Sequence, residues 1–441
     1  MESTYPRFTP DMKKTHKILI PNMAPVQFRI LAASMENHGY QVELLGNCGE
    51  RVAELGLKYV HNDTCYPALL VIGQFLDALD SGKYDLDHTA LIITQTGGGC
   101  RASNYIFLLR KALEKAGYGK IPVLSLNFSG LEKDSSMPMD LKFMRQALAA
   151  IYYGDLLMTL RAQTQPYELE HGAAERLQNK WLDILCDQVR HGKGYSGREM
   201  RATMPKIAAE FAAIPVKRVP KVKVGVVGEI YVKYSPLGNN DLEKFLASQD
   251  CEVNLPGLMG FVQYCAYNMA ETVRLYGGSL VEKTAAEAAL AVIAGMEKVI
   301  IKTLKDAGYH APMPFHELIK QPEQSHTIGM GCKMGEGWLL TAEMLELVRS
   351  GYENIVCAQP FGCLPNHICG KGMVNKIREL YPEANITPID YDPSATRVNQ
   401  ENRIKLMLAV AKERLNRPVQ EPVKPLTAEE LAGGAPQLSH V

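Results

Sequence analysis

The chain contains 10 cysteines but no Cys-x-x-Cys pair. That disfavours a local zinc knuckle or a ferredoxin-type site, both of which draw on closely spaced thiols. Neither charge is in excess, since 48 Lys and Arg stand against 48 Asp and Glu. Dedicated nucleic-acid and membrane-surface binders usually carry a basic excess, so both are disfavoured. Aromatic residues are scarce at 7%, and no basic run is interleaved with them. A single-strand stacking platform is therefore also disfavoured. No uncharged apolar run reaches the ~18 residues of a membrane span. The best candidate, 285–296, is broken by Glu287. Glu2, Arg7, Asp11, Lys13 and Lys14 leave no apolar core for a secretory signal. The expectation is a cytoplasmic chain with no membrane or nucleic-acid partner, whose cysteines are thiols or metal ligands rather than disulfides. Gly97-Gly98-Gly99 is not followed by Gly-Lys-Ser/Thr, and no Gly-x-Gly-x-x-Gly follows the first apolar run. A Walker A loop and a standard dinucleotide fingerprint are thus unsupported.

At 441 residues and 46% hydrophobic content the chain has room for two or three domains with packed cores. Short apolar runs read as strands at 17–20, 42–45, 90–94 and 123–126, with helical spacing at 26–38, 65–79 and 104–116. Strands alternating with helices predict a mostly parallel, doubly wound sheet. Between 139 and 211 the pattern is helical, with 170–189 its longest periodic piece. Pro215 and Pro220 mark a boundary. A second α/β half then opens, with strands at 222–230, 355–358 and 386–389. Its helices are expected at 241–249, 282–307, 337–349, 372–380 and 395–414. The expected organisation is a first α/β domain over 1–138, a helical bridge over 139–215, a second α/β domain over 216–415 and a frayed tail over 416–441.

One internal echo bears on function. Leu91-Ile92-Ile93-Thr94-Gln95 is followed by glycines, Cys100, a helix and Pro122-Val123-Leu124. Ile355-Val356-Cys357-Ala358-Gln359 is followed by Gly362-Cys363, a helix and Pro388-Ile389. Such loops lie at the carboxyl ends of parallel strands, where open α/β sheets bind ligands. Facing halves would bring Cys100 and Cys363 toward one cleft. Cys65 and Cys100 fall at expected helix N-termini, where the dipole favours a thiolate and free N–H groups favour an anionic cluster. Gly98, Gly99 and Gly362 let backbone pass close to a bulky group. Spacing alone leaves two readings open: a site assembled from scattered thiolates, or cysteines serving as small core side chains.

The remaining cysteines divide. Cys186, Cys251 and Cys265 read as packing residues. Cys48, Cys332, Cys357 and Cys369 are further candidates, with Cys357 inside a strand and better placed for a core. His367, close to Cys363, and Glu336, before a helix, are the acid/base candidates. Each also has a plain reading, as a solvated loop histidine and as a carboxylate stabilised by a helix dipole. Asp390 and Asp392 either face the cleft or cap the last helix.

Several segments together resemble a known family: Asn62-Asp63-Thr64-Cys65-Tyr66-Pro67-Ala68, Thr94-Gln95-Thr96-Gly97-Gly98-Gly99-Cys100-Arg101, Met334-Gly335-Glu336-Gly337-Trp338, Gln359-Pro360-Phe361-Gly362-Cys363-Leu364-Pro365-Asn366-His367 and Ile389-Asp390-Tyr391-Asp392-Pro393. They are similar to the acyl-CoA dehydratase activase-related proteins of the 2-hydroxyacyl-CoA dehydratase and benzoyl-CoA reductase superfamily, which includes the double-cubane cluster proteins. The resemblance spans about residues 8–414. It implies two Rossmann-like α/β domains with a helical insertion, and a 4Fe-4S cluster on Cys65, Cys100 and Cys363. An 8Fe-9S double-cubane cluster would need six thiolates, for which Cys48, Cys332, Cys357 and Cys369 are the pool. The resemblance further implies an anaerobic iron–sulfur protein that accepts low-potential electrons from an ATP-hydrolysing activase of the actin/Hsp70-like type carrying its own cluster. In larger relatives such ATPase modules are fused ahead of this region; here the activase is expected as a separate chain. The electrons would serve reduction or reductive dehydration of a small molecule or an acyl-CoA. The alternative is a non-catalytic, cluster-carrying electron-transfer or scaffold subunit. A homodimer is compatible with either.

Overall fold

The computed structural model describes residues 5–61, 64–95, 99–127 and 137–416. Gly98 and the tail 417–441 lie outside the described residues. Two four-stranded parallel sheets form the frame. The first contains β1 (Lys17–Ile20), β2 (Gln41–Leu44), β3 (Thr89–Gln95) and β4 (Val123–Asn127) in the order β2-β1-β3-β4. The second contains β5 (Val222–Gly228), β6 (Cys251–Asn254), β7 (Asn354–Pro360) and β8 (Asn385–Tyr391) in the order β6-β5-β7-β8. The two orders are the same when each half is numbered from its own start. The echo noted above is therefore a repeat of topology, with β3 and β7 as equivalent third strands.

The central strands are near-continuous apolar runs, as strands covered on both faces require. Leu19, Leu91 and Ile93 of the first sheet share one hydrophobic cluster with Val224, Val226, Val356 and Ile389 of the second. That common core holds the two sheets together. A separate cluster is built from the helices Leu141–Thr164, Ala173–Arg190 and Gly197–Ala212, with Ile293 and Met296 of the long helix Leu280–Asp306. Ser196 and Glu199 start the helix Gly197–Ala212 with a reciprocal capping box. The longest of the three is Leu141–Thr164 rather than the expected 170–189 piece. It is buried on several sides through Tyr152, Tyr153, Leu156 and Leu157, so its sequence shows no polar face to set a period.

Two buried polar links tie helices to one another. Asp155 accepts from Gln27 Nε2 at 2.8 Å and from the N–H groups of Leu258 at 3.1 Å and Met259 at 2.8 Å. Burial pushes its carboxyl up to about 6, against these hydrogen bonds. Lys233 donates to both carboxylate oxygens of Glu343, at 3.0 and 2.9 Å. Both side chains are almost wholly buried.

Several elements differ from expectation. The helices Glu50–Tyr59 and Leu258–Tyr276 and the strand β6 were not anticipated. β5 stops at Gly228, and Ile230–Tyr234 is a short helix rather than the end of that strand. Among the described residues no helix is long and apolar enough to cross a membrane.

Candidate functional site

The carboxyl ends of the two sheets meet around a pair of glutamates, Glu336 buried and Glu229 partly so. Glu229 follows the last residue of β5 and caps the helix Ile230–Tyr234 by accepting from Val232 N–H at 2.9 Å. Glu336 precedes the helix Trp338–Arg349. One of its oxygens accepts from Ile230 N–H at 3.1 Å, the other from Asn366 Nδ2 at 3.0 Å. It thus serves the helix that Glu229 caps, rather than only the start of its own. Burial raises both carboxyls above the usual carboxylate range, and the charge of Glu336 raises Glu229 further.

The three thiols singled out above stand around this pair. Cys65 is the N-cap of the helix Tyr66–Asp80, and Cys100 is the N-cap of the 3-10 turn Arg101–Asn104 after β3. Cys363 lies in the turn that follows β7, where Gly362 takes φ 74°. A left-handed turn at that φ suits a glycine, and a side chain added there would meet nothing within 4 Å. Cys65 and Tyr105 share an Sγ···Oη hydrogen bond of 2.7 Å. Asn366 Nδ2 donates to Cys363 Sγ at 3.3 Å. Glu229 is an electrostatic neighbour of all three thiols, Glu336 of Cys100 and Cys363, and Cys65 of Cys100.

The helix-end placement is as expected, but its electrostatic consequence is not. Burial raises Cys65 and Cys363 and pushes Cys100 up to about 12, outweighing the backbone N–H groups that favour thiolate. The glutamates raise them further. Cys65, Cys100, Cys363 and Glu229 nevertheless keep partial solvent access. Groups crowded by protein yet reached by water form the wall of a cleft. Arg101 is the cation that acts on Cys65.

Gly99 marks where the halves touch. A Cβ there would come within 2.7 Å of Met334 Sδ, so this glycine gives clearance to the loop before Glu336. A second group of thiols also neighbours Glu336. Cys332 and Glu336 are electrostatic neighbours of Cys369, and Glu336 is also one of Cys265.

The other candidates have other partners, although His367 lies against the backbone of Cys363. Cys357 is fully buried in β7 and packs under Gly370, whose added Cβ would meet its sulfur at 3.1 Å. Cys48 is exposed, beside Asn47, which is tied to Asp77. His367 turns away from Glu336. Its Nδ1 lies 2.9 Å from the carbonyl of Cys363, and its Nε2 lies 3.5 Å from Asp390. Asp392 caps the turn at Ser394 and Ala395 instead of facing the cleft. Cys186 is buried among helices, as its spacing suggested.

Among the described residues no three His, Cys, Asp or Glu side chains converge tightly enough for a single ion. An iron–sulfur cluster spreads its thiolates over the corners of a cube, so convergence on one point is not what it needs. Three thiols whose charge burial disfavours, beside two carboxyls raised above the usual carboxylate range, suit a cationic inorganic core that replaces the thiol protons. The surface depressions that run from Glu297 to His316 and from Tyr167 to Leu415 contain none of these cysteines. No family model matches the chain, and no curated protein matches it.

Proposed function

We propose that the chain is an iron–sulfur protein of the 2-hydroxyacyl-CoA dehydratase and benzoyl-CoA reductase type, with Cys65, Cys100 and Cys363 as cluster ligands. One observation carries this reading: three thiols and two glutamates share a cleft in which burial disfavours the charge of every one of them. A bound cluster would supply a low-potential one-electron centre. The chain's own groups then have defined tasks. Tyr105 and Asn366 hydrogen-bond the sulfurs of Cys65 and Cys363, which orients them and tunes the site. Glu336 holds Asn366 in place, and burial raises its carboxyl above the usual carboxylate range. Cys265, Cys332 and Cys369, grouped near Glu336, are the thiols available to a larger double-cubane cluster.

In this reading the two sheets are Rossmann-like domains and the helices between residues 139 and 215 are an insertion. The chain works in the cytoplasm, receives electrons from a separate ATP-hydrolysing activase, and uses them to reduce or dehydrate a small molecule or an acyl-CoA. Anaerobic purification followed by iron and acid-labile sulfide analysis tests the cluster. A colourless, iron-free chain after reconstitution refutes it. Turnover with ATP and a purified activase alone separates a catalytic component from an electron-transfer subunit.

A further inference from the structure

At the opposite end of the second sheet, where β5 and β7 begin, lies a depression of about 650 Å3. Its size falls within the roughly 300–1,000 Å3 of small-molecule sites. The seven residues of β5 separate it from the glutamate pair by roughly 20 Å, at about 3.3 Å per residue. Four cations line it: Arg218, Lys221, Lys223 and Arg414. Two carboxylates line it as well, Glu252 and Glu353. Glu252 is committed elsewhere, because the hydroxyls of Tyr167 and Tyr352 donate to its two oxygens, each at 2.5 Å.

The cations are held in place. Arg218 lies 4.8 Å above the Tyr167 ring and donates to Gln163 O at 3.3 Å. Lys221 lies 5.8 Å from the same ring, with its stem buried, and pairs with exposed Asp250. Lys223 lies 5.3 Å from the Tyr352 ring. Arg414 donates to Glu383 O at 2.5 Å. Among the described residues Arg218, Lys223 and Arg414 form no ion pair within 4.0 Å. Rings and backbone carbonyls thus hold three guanidinium and ammonium groups around one hollow; Arg414 also acts on Glu353 there, so that four cations face two carboxylates across it. Fixed, unpaired donors of this kind are what oxyanions of phosphate require.

We infer that this hollow is a binding site for a phosphorylated, multiply anionic small molecule. It is independent of the cluster reading, because it shares no residue with the cysteine cleft.

Titration calorimetry on the full chain, in chloride buffer free of phosphate, tests it with pyrophosphate and ADP as separate probes. The expected result is saturable binding at one site per chain, weakened about tenfold by Lys223→Gln and by Arg414→Gln, the loss of one charged hydrogen bond each. Lys376→Gln, an exposed lysine paired with Glu379, should leave binding unchanged. Equal affinity for both probes identifies the phosphates as the recognised group, and tighter ADP binding adds the nucleoside; both support the site. Absence of saturable binding by either probe, or unchanged affinity in a folded Lys223→Gln, overturns it. So does binding of polyanions alone, heparin or RNA, with a steep salt dependence. Iron content of Lys223→Gln should match the unsubstituted chain, so failure here leaves the cluster reading untouched.

Discussion

The two halves are the same scaffold used differently. Each carries a glutamine at or next to the end of its third strand that reaches toward the fourth: Gln95 accepts from Ser125 Oγ at 2.5 Å, and Gln359 donates to Asp390 at 2.6 Å. Each then turns into a cysteine, Cys100 or Cys363. The residues ahead of the preceding helix differ. The first half places the thiol of Cys65 there, and the second places Glu336 and the tight turn at Gly337. The helices themselves also differ. Tyr66–Asp80 buries apolar residues around nearly its whole circumference, whereas Trp338–Arg349 buries Glu343 and Glu346. Repetition of topology has therefore produced an asymmetric cleft, with thiols from both sides and carboxyls from one.

The largest effect should come from the buried charge peculiar to the second half. Lys233→Met leaves Glu343 without its partner and should cost about 3–5 kcal/mol. The double variant Lys233→Met/Glu343→Leu should recover most of it, as read from denaturant melts. If the single variant is as stable as the parent, the pair is not a constraint on this half.

Next comes the close crossing peculiar to the first half. A Cβ on Gly73 would lie 1.9 Å from Val52 O, and one on Gly56 would lie 2.3 Å from Leu69 O. Backbone carbonyls cannot swing aside as side chains can. Gly73→Ala should destabilise by about 3 kcal/mol, the upper end of overpacking costs. A loss below that of a surface substitution would show that the two helices do not cross there.

A smaller effect should appear in pH dependence. Burial pushes Glu346 up to about 7, so the folded state holds its proton where the unfolded chain releases it. Its contribution is complete below about pH 4.5 and is lost as pH rises through 7. The parent should lose at most about 3 kcal/mol over that window through this group, and Glu346→Gln should flatten the slope. An unchanged slope in the variant would assign the dependence elsewhere. The smallest effect is a gain. Gly295, inside the long helix Leu280–Asp306, has nothing within 4 Å of an added Cβ. Gly295→Ala should raise stability by about 0.5–1 kcal/mol, read as a higher melting temperature.

Much of the fold was legible because strand and helix periods alternate cleanly from Lys17 onward. The echo around Gln95 and Gln359 was legible because both loops must turn at the same place in the same topology. What escaped had physical reasons. β6 has only four residues, and its Glu252 is buried through two tyrosine hydroxyls distant in sequence, so it does not read as a strand. The helix Leu258–Tyr276 follows Pro256-Gly257 and contains Gly260, which mute its signal. Glu229 was hidden within a run that reads as strand through Ile230. The usable hint was a carboxylate three residues before Val232, at N-cap spacing from a short helix. Tyr105 carried no signal of its own, because its partner Cys65 lies 40 positions away, and the link from Asn366 to Glu336 spans 30. The acidity of the thiols was misjudged from helix ends alone, since the sequence does not display the desolvation that dominates them.

The most direct measurement is iron and acid-labile sulfide per chain after anaerobic reconstitution, compared across single substitutions. The unsubstituted chain should bind about four irons, or about eight if the larger cluster forms. Cys65→Ala, Cys100→Ala and Cys363→Ala should each lose most of that iron, while Cys186→Ala, in the helical core, should keep it. Equal iron in all four variants would contradict the proposed ligands.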